Sequence, residues 1–268
     1  MDFSGKAVVI TGASSGIGLE TALAFSKMNA RICLIGRDKE KLSLAEKECA
    51  AAGAQKTLAI RCDVGDYSQV KKACGSIKKE FGKIDVLVNN AGHGMYGAFR
   101  DAEIEDIEGM MATNYFGTVY FTKELLGAME KGSHIVNVSS MAGKLALTNY
   151  AGYCASKFAV SAFTESLRHE LMKDGIGVHL ICPTATKTHF FDNKSFAGHP
   201  HNENRSGMDE PSQIAQWIVR AIGRNLPETT SQRPKEKLAL FLRANFPWLY
   251  GMIMQSRYVK RQLEKEDG

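Results

Sequence analysis

Ser140, Tyr153 and Lys157 are residues whose types and spacing can do chemistry together. Tyr153 and Lys157 stand four residues apart, which puts both on one face of a helix. A free phenol titrates near pH ~10, too high to serve well in proton transfer at neutral pH. A neighbouring ammonium favours the phenolate and brings that value down. Ser140, thirteen residues before Tyr153, can hydrogen-bond a substrate oxygen and stabilise charge developing on it. Together they can move a proton while a carbonyl is reduced or an alcohol is oxidised. The Tyr–Lys spacing alone says little, because Tyr67 and Lys71 repeat it on what reads as a solvated helix face. The strand ending in Ser139-Ser140 is what separates Tyr153 from that pair.

A hydride carrier is implied by Thr11-Gly-Ala-Ser-Ser-Gly-Ile-Gly18, at the junction of an apolar run and a helical pattern. Glycines there let the backbone approach a pyrophosphate, and a helix N-terminus stabilises its negative charge. Taken alone, the loop is equally a tight turn that binds nothing. About twenty residues on, the second strand ends in Gly36-Arg37, where an NAD-type site would carry an acid for the ribose 2′-hydroxyl. A guanidinium suits a 2′-phosphate, so the pattern favours NADP(H) over NAD(H), with a solvated turn arginine as the alternative. Asp38 reads as a helix N-cap. Asp63 could accept from an adenine amino group or shape a turn, and Asn89-Asn90-Ala91-Gly92 suits close packing against a cofactor or a plain turn.

The elements that must position these residues follow from periodicity. Lys6–Thr11, Arg31–Ile35, Thr57–Cys62, Ile84–Asn89, His134–Ser139 and Gly177–Cys182 are nearly continuous apolar runs, as expected of parallel strands buried on both faces. Helical patterns over Gly16–Met28, Lys39–Ala52, Tyr67–Phe81, Ile104–Met129 and Tyr150–Lys173 lie between them. The alternation predicts an α/β, doubly wound parallel sheet of Rossmann-like type. One domain over residues 1–230 is expected, with a lid at about 188–210 and a basic aromatic helical tail at 231–268. Pro211 suits the first turn of a helix through Ile214, Trp217, Ile218 and Ile222.

Composition narrows the function classes. The net charge is +5, and residues 231–268 carry +4 of it, so the body is near neutral and lacks the basic face of a nucleic-acid binder. Six cysteines without C-x-x-C spacing read as reduced thiols, no His/Cys/Asp cluster has metal-ligand spacing, and no signal peptide is expected before the first strand. A cytoplasmic protein is expected, peripheral at a membrane if the tail touches one.

With Asn114 and Pro183 added, these motifs resemble the compact, single-domain branch of the short-chain dehydrogenase/reductase family, in family order over residues 5–225. The resemblance implies that Tyr153 is the general acid (base in the oxidative direction) and that Lys157 tunes it and holds the nicotinamide ribose. It implies that Ser140, not Ser139, orients the substrate, and that Asn114 holds a relay water near Lys157. Cofactor contacts are implied for Gly12, Ser14, Ser15, Gly16, Ile17, Gly18, Arg37, Asp63, Val64, Asn90, Ala91, Gly92, Tyr153, Lys157, Pro183 and Thr188. Two departures stand out: Thr184 follows Pro183 where the family usually has glycine, and no Gly-Gly signature of tetramer packing follows the last strand. A homodimer is the expected assembly.

The substrate end is less legible. Met95, Tyr96, Phe99, Leu145, Leu147, Phe190 and Phe191 are candidates for an apolar pocket, though each taken singly is more at home as a core or lid packing residue; His93 and His189 lie near the presumed site. Leu238–Met254, broken by Arg243 and Pro247, is a poor transmembrane span. Its aromatic centre and the basic flanks suit either packing on the body or contact with a membrane interface through 235–262. The expected activity is reversible carbonyl/alcohol hydride transfer, in the reductive direction, on an apolar, lipid-like ketone or aldehyde. The alternatives are a non-catalytic nucleotide sensor or scaffold, and an epimerase or dehydratase.

Overall fold

The computed structural model describes residues 2–188, 190 and 207–266, with side chains described through Ser256. Seven parallel strands form one sheet in the order β3-β2-β1-β4-β5-β6-β7. They are β1 (Ala7–Thr11), β2 (Arg31–Gly36), β3 (Lys56–Arg61), β4 (Val86–Asn89), β5 (His134–Val138), β6 (Gly177–Cys182) and β7 (Glu228–Thr230). The predicted α/β architecture is thus observed, with strand limits shifted by a residue or two. The sequence predicts six strands and misses β7, whose three residues Glu-Thr-Thr offer no apolar run.

Helices cover both faces. On one side α1 (Gly16–Ser26), α2 (Lys39–Ala51) and α7 (Pro211–Gly223) bury Phe25, Leu42, Ile214 and Ile218 against Val8, Ile10, Ile32 and Leu34. On the other side α3 (Tyr67–Phe81), α5 (Gly117–Leu126) and α6 (Ala151–Glu170) bury Ile77, Phe121, Leu125 and Leu167 against Val9, Leu87 and Ile135. Asp38 caps α2, accepting from the amides of Glu40 and Lys41 at 3.0 Å each, as its place before the helical pattern predicts.

The helix predicted over Ile104–Met129 is not continuous. It is α4 (Ile104–Met110), a π-helical segment (Met111–Phe116) and then α5, and the wide turn carries the buried Asn114. π-bulges are rare and concentrate at functional sites. Two tail helices, α8 (Pro234–Asn245) and α9 (Pro247–Glu266), fold back on the body. Leu240, Leu242, Met254 and Tyr250 pack with Met141, Leu145 and Leu180, and the Tyr250 hydroxyl donates to the Ala146 carbonyl at 3.3 Å. Of the predicted lid, 191–206 lie outside the described residues, as do His189 and Phe191.

The strand order reverses between β1 and β4. Loops at the carboxyl ends of the strands diverge there and leave a crevice, the usual ligand position in an open α/β sheet.

Candidate active site

The crevice floor is locked by Thr11 at the end of β1. Its Oγ1 accepts from the amides of Asn90 (2.9 Å) and Ala91 (3.0 Å), while Asn90 Nδ2 donates to the carbonyls of Thr11 (3.0 Å) and Gly12 (3.2 Å). The glycine loop passes so close that side chains are excluded. Gly12 has φ +64, and a Cβ there would lie 2.8 Å from Ala91 Cα; a Cβ on Gly18 would lie 2.2 Å from the Gly12 carbonyl oxygen. Ser15, the N-cap of α1, makes no side-chain bond to the helix end, which leaves first-turn amides available to an anion.

A cavity of about 760 Å³ extends from this loop. Gly12, Ser14, Ser15, Gly16, Ile17, Arg37, Asp63, Val64, Asn90, Ala91 and Gly92 line it, as do Ser140, Tyr153, Lys157, Pro183 and Thr188. Two predicted residues stand behind the wall: Gly18, on the glycine loop, and Asn114. The missing Cβ atoms and free amides at one part, with proton-transfer side chains at another, fit a nicotinamide dinucleotide held by the glycine loop, β2–β4 ends and Lys157. Asp63 fills the plainer of its two roles as well, with Oδ1 accepting from the Gly65 amide at 2.9 Å. Thr188 packs on Gly16, its Cγ2 lying 2.9 Å from where a Cβ would stand.

Tyr153 and Lys157 sit one turn apart on α6, both buried. Burial pushes the Tyr153 phenol up to about 12, and a hydrogen bond with Ser140 acts in the opposite direction. Burial pushes the Lys157 ammonium down to about 8. Lys157 Nζ donates to the Val138 carbonyl at 3.0 Å and lies 6.0 Å from the phenol ring centre. Burial thus favours the protonated phenol. Ser140 and Ser139 separate as predicted. Ser140 Oγ accepts from the Ala142 amide at 3.1 Å and interacts with Tyr153, whereas Ser139 Oγ is tied to the Lys157 carbonyl and Ser161.

Asn114 holds the next stretch of wall. Its Oδ1 accepts from the His93 amide, and its Nδ2 donates to the His93 carbonyl and to Ser156 Oγ, each at 2.9 Å. A Cβ on Gly92 would meet Asn114 Oδ1 at 3.0 Å and Lys157 Nζ at 3.2 Å, so both polar groups converge on that glycine. The decoy Tyr67–Lys71 is surface structure: Tyr67 donates to Glu124 at 2.9 Å, and the Lys71 ammonium lies 4.8 Å from its ring centre.

The family model for short chain dehydrogenases matches residues 6–197. The chain belongs to the short-chain dehydrogenase/reductase family. It is an oxidoreductase acting on CH–OH groups with a nicotinamide dinucleotide. Dehydrogenase/reductase SDR family member 7B of Bos taurus is 36% identical, over 96% of this chain and 83% of its own length. 3-Dehydrosphinganine reductase of Danio rerio is 35% identical, over 82% of this chain and 69% of its own. A solved short-chain dehydrogenase/reductase from Burkholderia phymatum, in complex with NAD, superposes with a TM-score of 0.86 at 27% identity, covering 93% of this chain and 96% of that one.

At the substrate end of this family member, Leu145, Leu147 and Phe190 line the cavity as expected; Phe99 is exposed instead and does not. Met95 packs in the cluster around Tyr153, and Tyr96 in that around Met208. Reading the sequence missed Tyr150, Thr184 and Glu236, which also line the cavity. Tyr150 is visible only as the first residue of a helical pattern, and Glu236 lies almost eighty residues beyond Lys157 in a charged stretch with no motif. His93 serves through its backbone; its ring Nε2 donates to the Gly109 carbonyl at 3.1 Å, and burial lowers its pKa.

Proposed function

We propose that the chain is an NADP(H)-dependent reductase of apolar, lipid-like ketones or aldehydes. The observation that carries the reading is a buried Tyr153 hydrogen-bonded with Ser140 and one helix turn from Lys157, in a cavity continued by Leu145, Leu147 and Phe190. The dinucleotide supplies a hydride when bound. Tyr153 gives its proton to the carbonyl oxygen, Ser140 donates a hydrogen bond to that oxygen, and Lys157 would hold the cofactor and place a positive charge near the phenolate left behind. Kinship with 3-dehydrosphinganine reductase supports a long-chain ketone.

For the cofactor, Arg37 lines the cavity at the end of β2, and a side chain on Gly36 would press on Leu42 (3.3 Å) and Ser14 Oγ (3.4 Å). The end of β2 thus offers the Arg37 guanidinium, while the neighbouring Asp38, which also lines the cavity, is turned back to cap α2. Arg37→Ala should raise the NADPH Kd by about tenfold or more and change NADH by less than about twofold. Equal losses for both cofactors in a fluorescence titration would remove the preference. Incubation with NADPH and a panel of long-chain ketones should consume cofactor; no consumption with any ketone contradicts the reductase reading.

We further propose contact with an anionic membrane surface through residues 235–262. One side of α8 and α9 packs on the body, while Leu238, Phe241, Phe246, Trp248 and Met252 are exposed beside the exposed Lys235 and Lys237. An apolar strip with basic flanks is what an interfacial helix presents to anionic lipid. Among the described residues no helix is long and apolar enough to cross a membrane. Vesicles containing phosphatidylserine should pellet the wild type and release a Phe241→Ser/Trp248→Ser variant. A wild type that stays in the supernatant ends the idea.

A further inference from the structure

Pro183, Thr184, Ala185, Thr186 and Thr188 form one wall of the cavity as the chain leaves β6. The wall stands at the proton-transfer end: the Met141 amide, next to Ser140, donates to the Pro183 carbonyl at 2.8 Å. Hydride and proton must reach the same carbonyl group, so the redox ring of the dinucleotide has to lie against this part of the crevice. Arg37 follows β2, four strand spacings from β6, or about 19 Å.

Asp209, on a separate stretch of chain, backs this wall. Its amide donates to the Ala185 carbonyl at 3.0 Å, and its carbonyl accepts from the Lys187 amide at 2.9 Å. Its buried carboxylate then divides: Oδ2 accepts from the Thr184 hydroxyl, and Oδ1 from Arg233 Nη2 at 2.5 Å. Charge-assisted bonds of this kind are about twice as strong as neutral ones. Arg233 meets Glu236 at 3.8 Å, so Asp209 is its closer carboxylate. The anchor is itself fixed, because Arg233 immediately precedes α8, and α8 packs through Leu240 and Leu242 on Met141 and Leu145. At Thr184 the family usually carries glycine, which has no hydroxyl to give.

We propose that Asp209 is a positioning residue for the cofactor: its carboxylate ties Thr184 to Arg233 and so holds the wall of residues 183–188 against the redox ring of the bound dinucleotide. The proposal rests on the family's use of a nicotinamide dinucleotide. Through this tie the root of the tail acts on cofactor affinity. The wall ends on the glycine loop, where Thr188 packs on Gly16, so a shift at Thr184 is felt at both ends of the segment.

The test titrates the full chain with NADPH and with NADH by fluorescence, alongside urea unfolding and kinetics with a long-chain ketone. Thr184→Val keeps the shape and removes the hydroxyl. It should raise both Kd values by about fivefold or more, and by the same factor, because the wall is remote from Arg37. Thr184→Ser restores a hydroxyl and should return both to within about twofold of the wild type. Asp209→Ala should raise them at least as far as Thr184→Val does. Adding Thr184→Val to Asp209→Ala should then change them by less than about twofold, since the bond is already gone. A Thr184→Val protein whose Kd values stay within about twofold, whatever its urea midpoint, overturns the proposal, as does full additivity of the two substitutions. A loss confined to the ketone KM, with both Kd values unchanged, would assign the wall to the substrate and overturn it too. The titrations need no turnover, so failure of the reductase reading leaves them decisive. If the wild type binds neither dinucleotide, the cofactor site is misassigned and the proposal falls with it.

Discussion

Replacing Asn114 by leucine probes the joint between the cofactor wall and the catalytic helix. Asn114 is buried, and its amide closes a two-bond ring with the His93 peptide groups while a third bond reaches Ser156 on α6. Leucine has a similar volume, so little cavity forms and the cost is polar. The His93 N–H and C=O both lose their partner, at about 1–3 kcal/mol for each buried group left unpaired. Ser156 loses less, because its hydroxyl still donates to the Tyr153 carbonyl at 2.8 Å. His93 is only partly buried, so water recovers some of the loss and the total is about 2–4 kcal/mol. That is a large part of a domain's usual stability without abolishing folding. Urea unfolding should report it as a lower midpoint at unchanged slope. Reductase activity should fall further than stability explains, since Gly92 and Lys157 border the displaced wall. A destabilisation below about 0.5 kcal/mol would refute the accounting.

Two further outcomes follow from named contacts. Gly18→Ala places a Cβ 2.2 Å from the Gly12 carbonyl oxygen, so α1 must shift against the glycine loop, and the cofactor Kd should rise about tenfold or more in a fluorescence titration. His134 Nδ1 lies 2.9 Å from His179 Nε2, and His179 Nδ1 donates to the Leu226 carbonyl at 2.7 Å. Burial, then repulsion from His179, lowers His134 to about 4, below the ordinary value of 6.5. The folded state therefore resists protonation: the unfolded chain binds more protons below pH ~6.5, and stability should fall from there toward pH ~4. Urea midpoints between pH 6.5 and 5 should drop more in the wild type than in His134→Gln/His179→Gln; parallel slopes would exclude the pair as the cause.

The sheet was legible because β1, β2, β4, β5 and β6 are almost wholly buried, and burial on both faces forces uninterrupted apolar runs. Ser140, Tyr153 and Lys157 were legible because a strand end and one helix turn position them with short-range order. β7 was hidden because three polar residues leave no period to read. The π turn at Met111–Phe116 was hidden because Thr113 and Asn114 are its only polar break in an otherwise helical pattern, and nothing in their spacing marks a wider turn. Lys157 shows a different limit. Its spacing from Tyr153 implies a favourable charge, but the turn of its ammonium toward Val138 and the depth of both groups are properties of packing. Glu236 reaches the cavity only because the tail folds back on Leu145 and Leu180, a long-range contact that no local spacing announces.

Tyr153→Phe removes one hydroxyl from a buried ring and leaves the packing against Phe190 and Tyr150 intact. With NADPH and a reducible long-chain ketone, kcat should fall by about 100-fold or more, the scale of a lost general acid, while the NADPH Kd stays within a few-fold. A Tyr153→Phe enzyme that turns over at the wild-type rate, with cofactor and ketone saturating, would contradict the assignment of Tyr153 as the proton donor.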